Sequence, residues 1–431
     1  MYTPPPVSRK NPMVQIHPFA ALRPNPVLAP VVASVPYDVI SAGEAAGCIR
    51  ENPRSFLRVS RADAELPGAP PQANAVYLRA RENLLSMVTG GILVRDTAPS
   101  LYLYQVGDGR RWVTGLVCTI GIDDYLDGTI RSHELTRRDK EGDRTRHIEA
   151  VNAQTGLVFL FFQDDVGVGP EIGGLVPMGD DPGALVEAAN GAIHRVYRIG
   201  DPAAIARATR LIAPLTRLYI ADGHHRAAAA ANVALIRRKA GRGGGEADRF
   251  MAVLFPHDQV AIHGYSRLVT DLSGLSPASF LDRLGQRFQV RKGIRADWGE
   301  FRAPGGTSPG RHLFRMYLGG EWYEVSRARE PTGAAGIPVL DVQVLQDEVL
   351  GPMLGIRDPR DDPRLQFLGG SRPAADLEER VDGGEFAIAF ALQPVGIGEV
   401  MAIADAGGIM PPKSTWFEPK LYSGLLIHPL D

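Results

Sequence analysis

The sequence has little cysteine, almost no net charge and no long apolar run, and each shortage argues against a class of protein. Only two cysteines, Cys48 and Cys118, occur in 431 residues. They stand far apart, which argues against a disulfide scaffold or a cysteine-rich metal site and favours a reducing cytoplasmic location. The formal net charge is −2, so bulk electrostatics favour neither nucleic acid nor membrane surfaces as partners. Without a run of about 18 apolar residues, neither a membrane span nor secretion is expected.

Several common motifs are also missing. The chain contains neither a Walker A sequence nor a protein-kinase glycine-rich loop, which excludes those two folds as a source of phosphoryl chemistry. The sequence HELT, beginning at His133, lacks the second histidine of a zinc-protease motif. No helix-turn-helix with a basic face is evident, so a DNA-binding role is not favoured.

What remains is an ordinary globular composition, with 44% hydrophobic and 22% charged residues. Strand-like and helix-like segments alternate irregularly and include hairpins, a pattern that predicts an α+β or mixed α/β fold. The length is sufficient for two or three domains. We expect a core with insertions over residues 1–265 and a C-terminal α/β region over residues 266–431 packed on that core.

The clearest local expectations concern one sheet. Residues 157–163, 216–221 and 250–255 are short apolar runs and predict strands of the same sheet, covered by a helix from about 224 to 239. Other expectations are a helix that starts at Asn74 and is ended by Gly90 and Gly91, a hairpin over 100–125, a helix that begins near Asp143, and a strand followed by a turn within 32–41.

The strongest site signal is the stretch LYIADGHHR, residues 218–226. An apolar strand runs directly into Asp222, Gly223, His224, His225 and Arg226, and an alanine-rich helix follows. The N-terminus of a helix offers free backbone N–H groups and partial positive charge, which suit a phosphate. The alternative is a purely structural turn in which Asp222 caps the helix. Because adjacent helical residues point about 100° apart, a zinc site is less favoured.

A second candidate is RSHELTRRDKEGDRTRH, residues 131–147. His133 and Glu134 suit an acid/base pair. The remaining charged residues could hold phosphates (Arg137, Arg138, Lys140, Arg144 and Arg146) or a divalent cation (Asp139, Glu141 and Asp143). A solvated, salt-bridged surface helix explains the same run of mixed charge equally well.

Two further stretches carry weaker signals. In MPPKSTWFEPKLYSGLL, residues 410–426, Lys413 and the two hydroxyl residues after it could contact an anion, or the segment could be a strap with its aromatic residues in the core. In VPYDVIS, Asp38 follows a Pro-Tyr turn and is either a site acid or a helix cap.

Taken together, these motifs resemble a known family. The stretches HPFAALRP, VPYDVIS, HELT, YIADGHHR and MPPKSTWFEPKL extend over nearly the whole chain and are similar to the bacterial family known as domain of unknown function 1015. The shorter DGHHR turn is similar to the signature of the ParB/sulfiredoxin-like superfamily, which includes the archaeal free serine kinases. This second resemblance implies a ParB/sulfiredoxin-like core and a turn, Asp222 to Arg226, that holds nucleotide phosphates.

The residues and the resemblance together lead to phosphoryl transfer on a small hydroxylated metabolite, for which free serine is one candidate. ATP, ADP or pyrophosphate would be the donor, with Mg²⁺ bound by Asp38 or Asp222. Phosphate would be held by Asp222, Gly223, Arg226, Arg137, Arg144 and Lys413. In this hypothesis Glu134 is the base and should lie near the Asp222 turn, with His133, His224 and His225 as further catalytic candidates.

Two alternatives stay open. One is a phosphatase that acts on a phosphorylated amino acid. The other is a nucleotide-binding regulatory protein of the ParB type, without turnover of a small molecule. A nucleotide or phosphate and a small-molecule substrate are the expected partners, and the sequence does not indicate an oligomeric state.

Overall fold

The computed structural model describes residues 13–70, 72–176, 182–293, 295, 310–329, 337–370 and 373–431. The chain divides into two compact units. The first contains residues 1–131, 136–260 and 419–431, and the second contains 132–135 and 261–418. The main division therefore lies at 260/261, and residues 419–431 return to the first unit.

The first unit combines helices and strands. Its helices are α1 (Ala29–Val32), α2 (Ala42–Glu51), α3 (Leu57–Ser60), α4 (Asn74–Thr89), α5 (Ile122–Leu126), α6 (Arg138–Val151), α7 (Val168–Gly173), α8 (Pro202–Ile212) and α9 (His224–Lys239). Its strands are β1 (Ile16–His17), β2 (Leu22–Pro24), β3 (Leu93–Arg95), β4 (Leu101–Gly107), β5 (Trp112–Gly121), β6 (Ile130–Arg131), β7 (Ala153–Gln154), β8 (Val158–Phe162), β9 (Ala184–Glu187), β10 (Ile193–Ile199), β11 (Leu218–Asp222), β12 (Arg249–Pro256) and, at the end of the chain, β21 (His428–Pro429).

Most of these strands form one mixed sheet. Its order is β6-β11-β8-β12-β5-β4-β10-β9, and β1 pairs with β5 beside this path. The pairs β11·β6 and β12·β8 are parallel, whereas β11·β8, β12·β5 and β4·β5 are antiparallel. The three strands expected in one sheet are thus neighbours in the order β11-β8-β12, which confirms both that prediction and the mixed α/β class.

Small side chains let α9 cover this sheet closely. Ala227, Ala230, Ala231 and Ala234 are buried in one cluster with apolar residues of β8, β11 and β12. On another side of the helix, Ala229 packs with Ile148 of α6. Alanine is also the strongest helix former, so the same residues favour the helix and permit close contact on two sides.

The first unit includes two small additional sheets. Strand β2 pairs with β3, and β21 pairs with β7, each in antiparallel fashion. The C-terminal segment is therefore held by backbone pairing, and its Ile427 and His428 are buried.

The second unit contains its own sheet. Its helices are α10 (Pro277–Gly285), α11 (Asp341–Leu345), α12 (Ala374–Asp382) and α13 (Ile397–Asp405), and its strands are β13 (Ala261–His263), β14 (Tyr265–Val269), β15 (Gln289–Lys292), β16 (Arg311–Leu318), β17 (Glu321–Ala328), β18 (Leu365–Gly369), β19 (Ile388–Leu392) and β20 (Trp416–Glu418). Six of the strands form an antiparallel sheet in the order β15-β17-β16-β19-β14-β18, and β13 pairs with β20.

Two local predictions were wrong. The expected strand within 32–41 is instead the end of α1, a single bridge at Ser34 and a turn. The helix expected from Asp143 begins at Arg138, because Asp139 and Glu141 in its first turn suit the positive end of a helix. Among the described residues, no helix is both long enough and apolar enough to span a membrane.

Candidate functional site

The turn between β11 and α9 has a backbone conformation that requires glycine. Gly223 is the N-cap of α9 and has φ of 97°, a left-handed value that side chains oppose. A Cβ atom at this position would also lie 2.8 Å from Nε of Arg226. Glycine thus allows the strand to turn sharply and the arginine to fold back against the turn.

Asp222, the last residue of β11, lies between two cations. Its Oδ2 atom is 3.4 Å from an Arg226 nitrogen and 3.6 Å from Lys420 Nζ, and its Oδ1 accepts a 2.8 Å hydrogen bond from the Gly223 N–H. Burial works to raise the pKa of this carboxyl, but Lys420, Arg226 and the nearby His224 hold the pKa well below its usual range. Asp222 is therefore a carboxylate at neutral pH.

The Arg226 guanidinium is held between two glycines. Besides its contact with Gly223, it passes so close to Gly156 that a Cβ there would lie 3.3 Å from Arg226 Cδ. Burial works to lower its pKa, but Asp222, Asp38 and Tyr37 outweigh burial and raise it. Arg226 is thus a fixed positive charge, and its buried Nε has no hydrogen-bond partner among the described residues.

The Tyr37–Asp38 turn contributes the next part of the site. Arg61 fixes its backbone by donating to the carbonyl oxygens of Tyr37, at 3.1 Å, and Ile40. The Arg144 guanidinium of α6 lies over the Tyr37 ring, 4.3 Å from its centroid, which is within the range of a cation–π contact. Burial, helped by the Asp38 carboxylate, raises the pKa of Tyr37 to about 12, so the phenol stays neutral.

Arg144 is anchored by its neighbour on the helix. Its Nε donates to Oδ2 of Asp143 at 2.8 Å, and Oδ1 of the same carboxylate accepts a hydrogen bond from Tyr77. Asp143, one of the carboxylates considered as a cation ligand, thus already accepts two hydrogen-bonding groups. Glu141, another of them, accepts a 2.6 Å hydrogen bond from Asn232 of α9.

Four of these residues, Tyr37, Arg144, Gly156 and Arg226, line a cavity of about 30 Å³. Its walls are Tyr37, Ser60, Arg144, His147, Ile148, Gln154, Thr155, Gly156, Val158, Arg226, Phe250 and Ser423. The Ser60 hydroxyl is buried and has no hydrogen-bond partner within the described part of the chain. Two guanidinium groups and several hydroxyl residues on one cavity form an environment that suits a small oxyanion.

The two histidines of the turn differ in their surroundings. His224 is buried. Nε2 of His225 accepts a 3.0 Å hydrogen bond from the backbone N–H of Arg137, the N-cap residue of α6. The contact joins the start of α6 to the start of α9 and uses the Nε2 lone pair of His225.

Three of the sequence-predicted residues belong to the second unit. His133 is buried, its Nε2 lies 3.5 Å from the Thr415 hydroxyl, and burial lowers its pKa to about 4. Glu134 is partly buried, and its carbonyl oxygen accepts from Ser132. Lys413 is exposed and lies 5.5 Å from the centre of the Tyr265 ring. Their participation in the site of the first unit stays a prediction.

Sequence reasoning missed three contributors. Lys420 stands in the same quoted stretch, MPPKSTWFEPKL, as Lys413, but only Lys413 and the two hydroxyl residues after it are named there as anion contacts. Tyr37 appears there only as part of the Pro-Tyr turn before Asp38, and Gly156 is not among the predicted site residues. The neighbouring motif residues were a usable signal for Lys420 and Tyr37, whereas the contact of Gly156 with Arg226 is visible only in three dimensions.

The fit to a metal ion is limited. Within the described ranges, no group of three or more His, Cys, Asp or Glu side chains is placed to hold a metal. Asp38 is exposed and Asp222 pairs with two cations. Mg²⁺ needs only one or two protein carboxylates, since water and substrate phosphates complete its shell, so the number of carboxylates here does not exclude it.

Comparison with solved structures gives distant similarities. A free serine kinase in complex with AMP is 14% identical with a TM-score of 0.36, over 71% of this chain and 88% of that one. SbnI from Staphylococcus aureus, truncated at its C-terminus, is 13% identical with a TM-score of 0.37, over 73% and 87% of the two chains. A conserved hypothetical protein from Pyrococcus furiosus is 14% identical with a TM-score of 0.33, over 70% and 90%.

Comparison by sequence places the chain in a family. No curated protein matches it. The model of the family described as "Protein of unknown function (DUF1015)" matches residues 16–343, and this range includes the Tyr37–Asp38 turn, the charged helix α6 and the DGHHR turn. The resemblance noted in the motifs is thereby confirmed, and the chain belongs to the DUF1015 family.

Proposed function

We propose that the first unit binds the phosphate groups of a nucleotide between Arg144 and Arg226. One observation carries this proposal: both guanidinium groups line the same cavity, next to the N-terminus of the 16-residue helix α9. Arginine forms paired, charge-assisted hydrogen bonds with phosphate oxygens, and a helix N-terminus favours the same anion. The stacking on Tyr37 and the two glycines beside Arg226 hold these side chains in place before the ligand arrives.

The proposed reaction is transfer of a phosphoryl group from the nucleotide, or from pyrophosphate, to the hydroxyl of a small metabolite. Arg144 and Arg226 would offset the negative charge that develops on the phosphoryl oxygens, which is the main task of a protein in this chemistry. Glu134 is proposed to take the proton of the acceptor hydroxyl, and one histidine of the DGHHR turn to donate to the transferred group. Free serine is the first acceptor to test.

Magnesium would enter with the nucleotide. The carboxylates of Asp38 and Asp222 both raise the pKa of Arg226, and they are proposed to hold the ion. When bound, Mg²⁺ would neutralise part of the charge of the phosphates.

The proposal is tested first by binding. Isothermal titration calorimetry would measure the affinities of ATP, ADP, AMP and pyrophosphate, each with and without Mg²⁺. ³¹P NMR with ATP and serine would then detect transfer. We expect nucleotide binding and a phosphorylated acceptor that forms only when a hydroxylated compound is present.

A matched variant controls for loss of positive charge in general. Arg110 is exposed in the hairpin between β4 and β5, so Arg110→Ala should bind like wild type whereas Arg144→Ala should bind more weakly. Equal affinities of both variants, or no binding of any phosphate compound by the wild type, would refute the proposal. Turnover of the nucleotide without an acceptor would instead favour the nucleotide-binding regulatory alternative, and release of phosphate from a phosphorylated amino acid would favour the phosphatase.

A further inference from the structure

Asp222 occupies the groups that a phosphate at the DGHHR turn would need. The Gly223 N–H donates to its Oδ1, and Arg226 and Lys420 both lie within 4 Å of its Oδ2. The turn is thus already an anion site, filled by a carboxylate of the protein itself. The inference drawn from this arrangement rests on the proposed function of the first unit.

We infer that Asp222 is an internal counterion that competes with phosphate for Arg226, Lys420 and the Gly223 amide, so that the site selects metal-complexed phosphates over free ones. A free pyrophosphate would have to approach a carboxylate of the same sign and displace it from three donors. A phosphate that carries Mg²⁺ offers that carboxylate a new partner, and the two cationic side chains become available to the phosphate oxygens.

The geometry favours exchange of partners over permanent pairing. The Arg226 and Lys420 distances of 3.4 and 3.6 Å are long for charge-assisted hydrogen bonds. The side chain of Asp222 is 31% exposed, so an incoming ion can reach it. Because Lys420 and Arg226 keep the carboxyl ionised, a cation is needed to draw it away at neutral pH.

The test is Asp222→Asn, which removes the charge and keeps an oxygen that can accept the Gly223 N–H. Calorimetry would compare pyrophosphate binding by wild type and variant, in EDTA and in Mg²⁺. Since repulsion between two anions that share the same donors is strong enough to change affinity by about tenfold or more, the variant should bind metal-free pyrophosphate at least that much more tightly than wild type. Mg²⁺ should raise the wild-type affinity and leave that of the variant within roughly twofold.

Asp201→Asn is the matched control. Asp201 is the N-cap of α8, and its carboxylate accepts from the Ala204 N–H at 2.9 Å. The substitution removes one negative charge at another helix start of the same unit, so it should leave pyrophosphate binding unchanged. If Asp222→Asn does not fold, Asp222→Ser removes the charge and keeps a short acceptor, and the same gain is expected.

The outcomes separate this inference from the proposed function. If wild type binds Mg-nucleotide but neither Asp222 variant gains affinity for metal-free pyrophosphate, the internal counterion is refuted and the phosphate site stands. A similar gain in Asp201→Asn would also refute it, because net charge alone would then explain the effect. If neither wild type nor the Asp222 variants bind any phosphate compound, both ideas fail.

Discussion

At the scale of single residues, Arg226 carries the most specific expectation. Arg226→Ala should weaken nucleotide or pyrophosphate binding by about 1.5–3 kcal/mol, the range for a hydrogen bond to a charged group. Arg226→Lys should restore only part of this loss, because an ammonium group cannot form the paired bonds of a guanidinium. Calorimetry measures the affinities, and circular dichroism checks that the fold is retained. Wild-type affinity in Arg226→Ala would leave the DGHHR turn as a structural feature.

Glu134 carries the expectation about the chemical step. If it takes the proton of the acceptor, Glu134→Gln should leave nucleotide binding close to normal and reduce the rate of transfer by roughly a hundredfold or more. Single-turnover measurement with ATP and the acceptor identified by NMR separates the two effects. A variant with full activity would place Glu134 among the solvated charges of its segment.

Replacing Gly223 should affect both the stability of the fold and the binding of phosphate. Gly223→Ala should lower the free energy of unfolding by about 1–2 kcal/mol from the left-handed backbone alone, and the added Cβ should push Arg226 out of position. Urea unfolding and pyrophosphate calorimetry measure the two effects. Gly43→Ala is the control: Gly43 lies in α2, and a Cβ there would meet no atom within 4 Å. A stable variant with normal binding would show that Arg226 does not need this glycine.

At the scale of elements, the site depends on how closely α6 and α9 approach. Arg144 lies on α6 and Arg226 on α9, and Ala229 is buried between the two helices. Ala229→Leu should destabilise the fold by about 1–3 kcal/mol through overpacking and weaken pyrophosphate binding by separating the two arginines. Ile236→Ala, at an exposed position of α9, should change neither property. Thermal unfolding and calorimetry of both variants check this, and unchanged binding in Ala229→Leu would show that helix spacing does not set the site.

The elements also show what could be predicted from the sequence. Strands β8, β11 and β12 were found because each is a short apolar run, a local signal. The turn after β11 was found because Asp222 and Gly223 mark a strand-to-helix turn. The run that includes Val32 and Val35 suggests a strand, yet α1, with proline in its first turn, ends at Val32, and Ser34 forms only a single bridge. The motif marks Lys420 as a candidate, but its place beside Asp222 could not be derived, since it depends on a tertiary contact between distant parts of the sequence.

At the scale of the whole molecule, buried neutral histidines predict a loss of stability in acid. Burial lowers the pKa of His133, His147 and His194 to about 4 in each case, below the ordinary value of about 6.5. The unfolded chain therefore binds more protons between pH 6.5 and 4, and the free energy of unfolding should fall as the pH drops through that window. Urea unfolding across this range measures the slope.

A variant tests the origin of this slope. His147 is one of these buried histidines, and its Nε2 lies 3.0 Å from the Val59 carbonyl oxygen. His147→Gln retains a donor for that carbonyl and removes the titrating group, so stability should vary less between pH 6.5 and 4 than in wild type. A slope identical to wild type would assign the acid sensitivity to other groups.

The return of residues 419–431 to the first unit has a consequence for biosynthesis. A ribosome makes the second unit, 261–418, before it makes Lys420 and the strand that pairs with β7. The nascent chain consequently carries Arg226 and Asp222 for some time without their third charged neighbour. A product that terminates early, even one with the complete second unit, would lack Lys420 and the closing strand, so only chains translated through this segment can assemble the charge arrangement at the DGHHR turn.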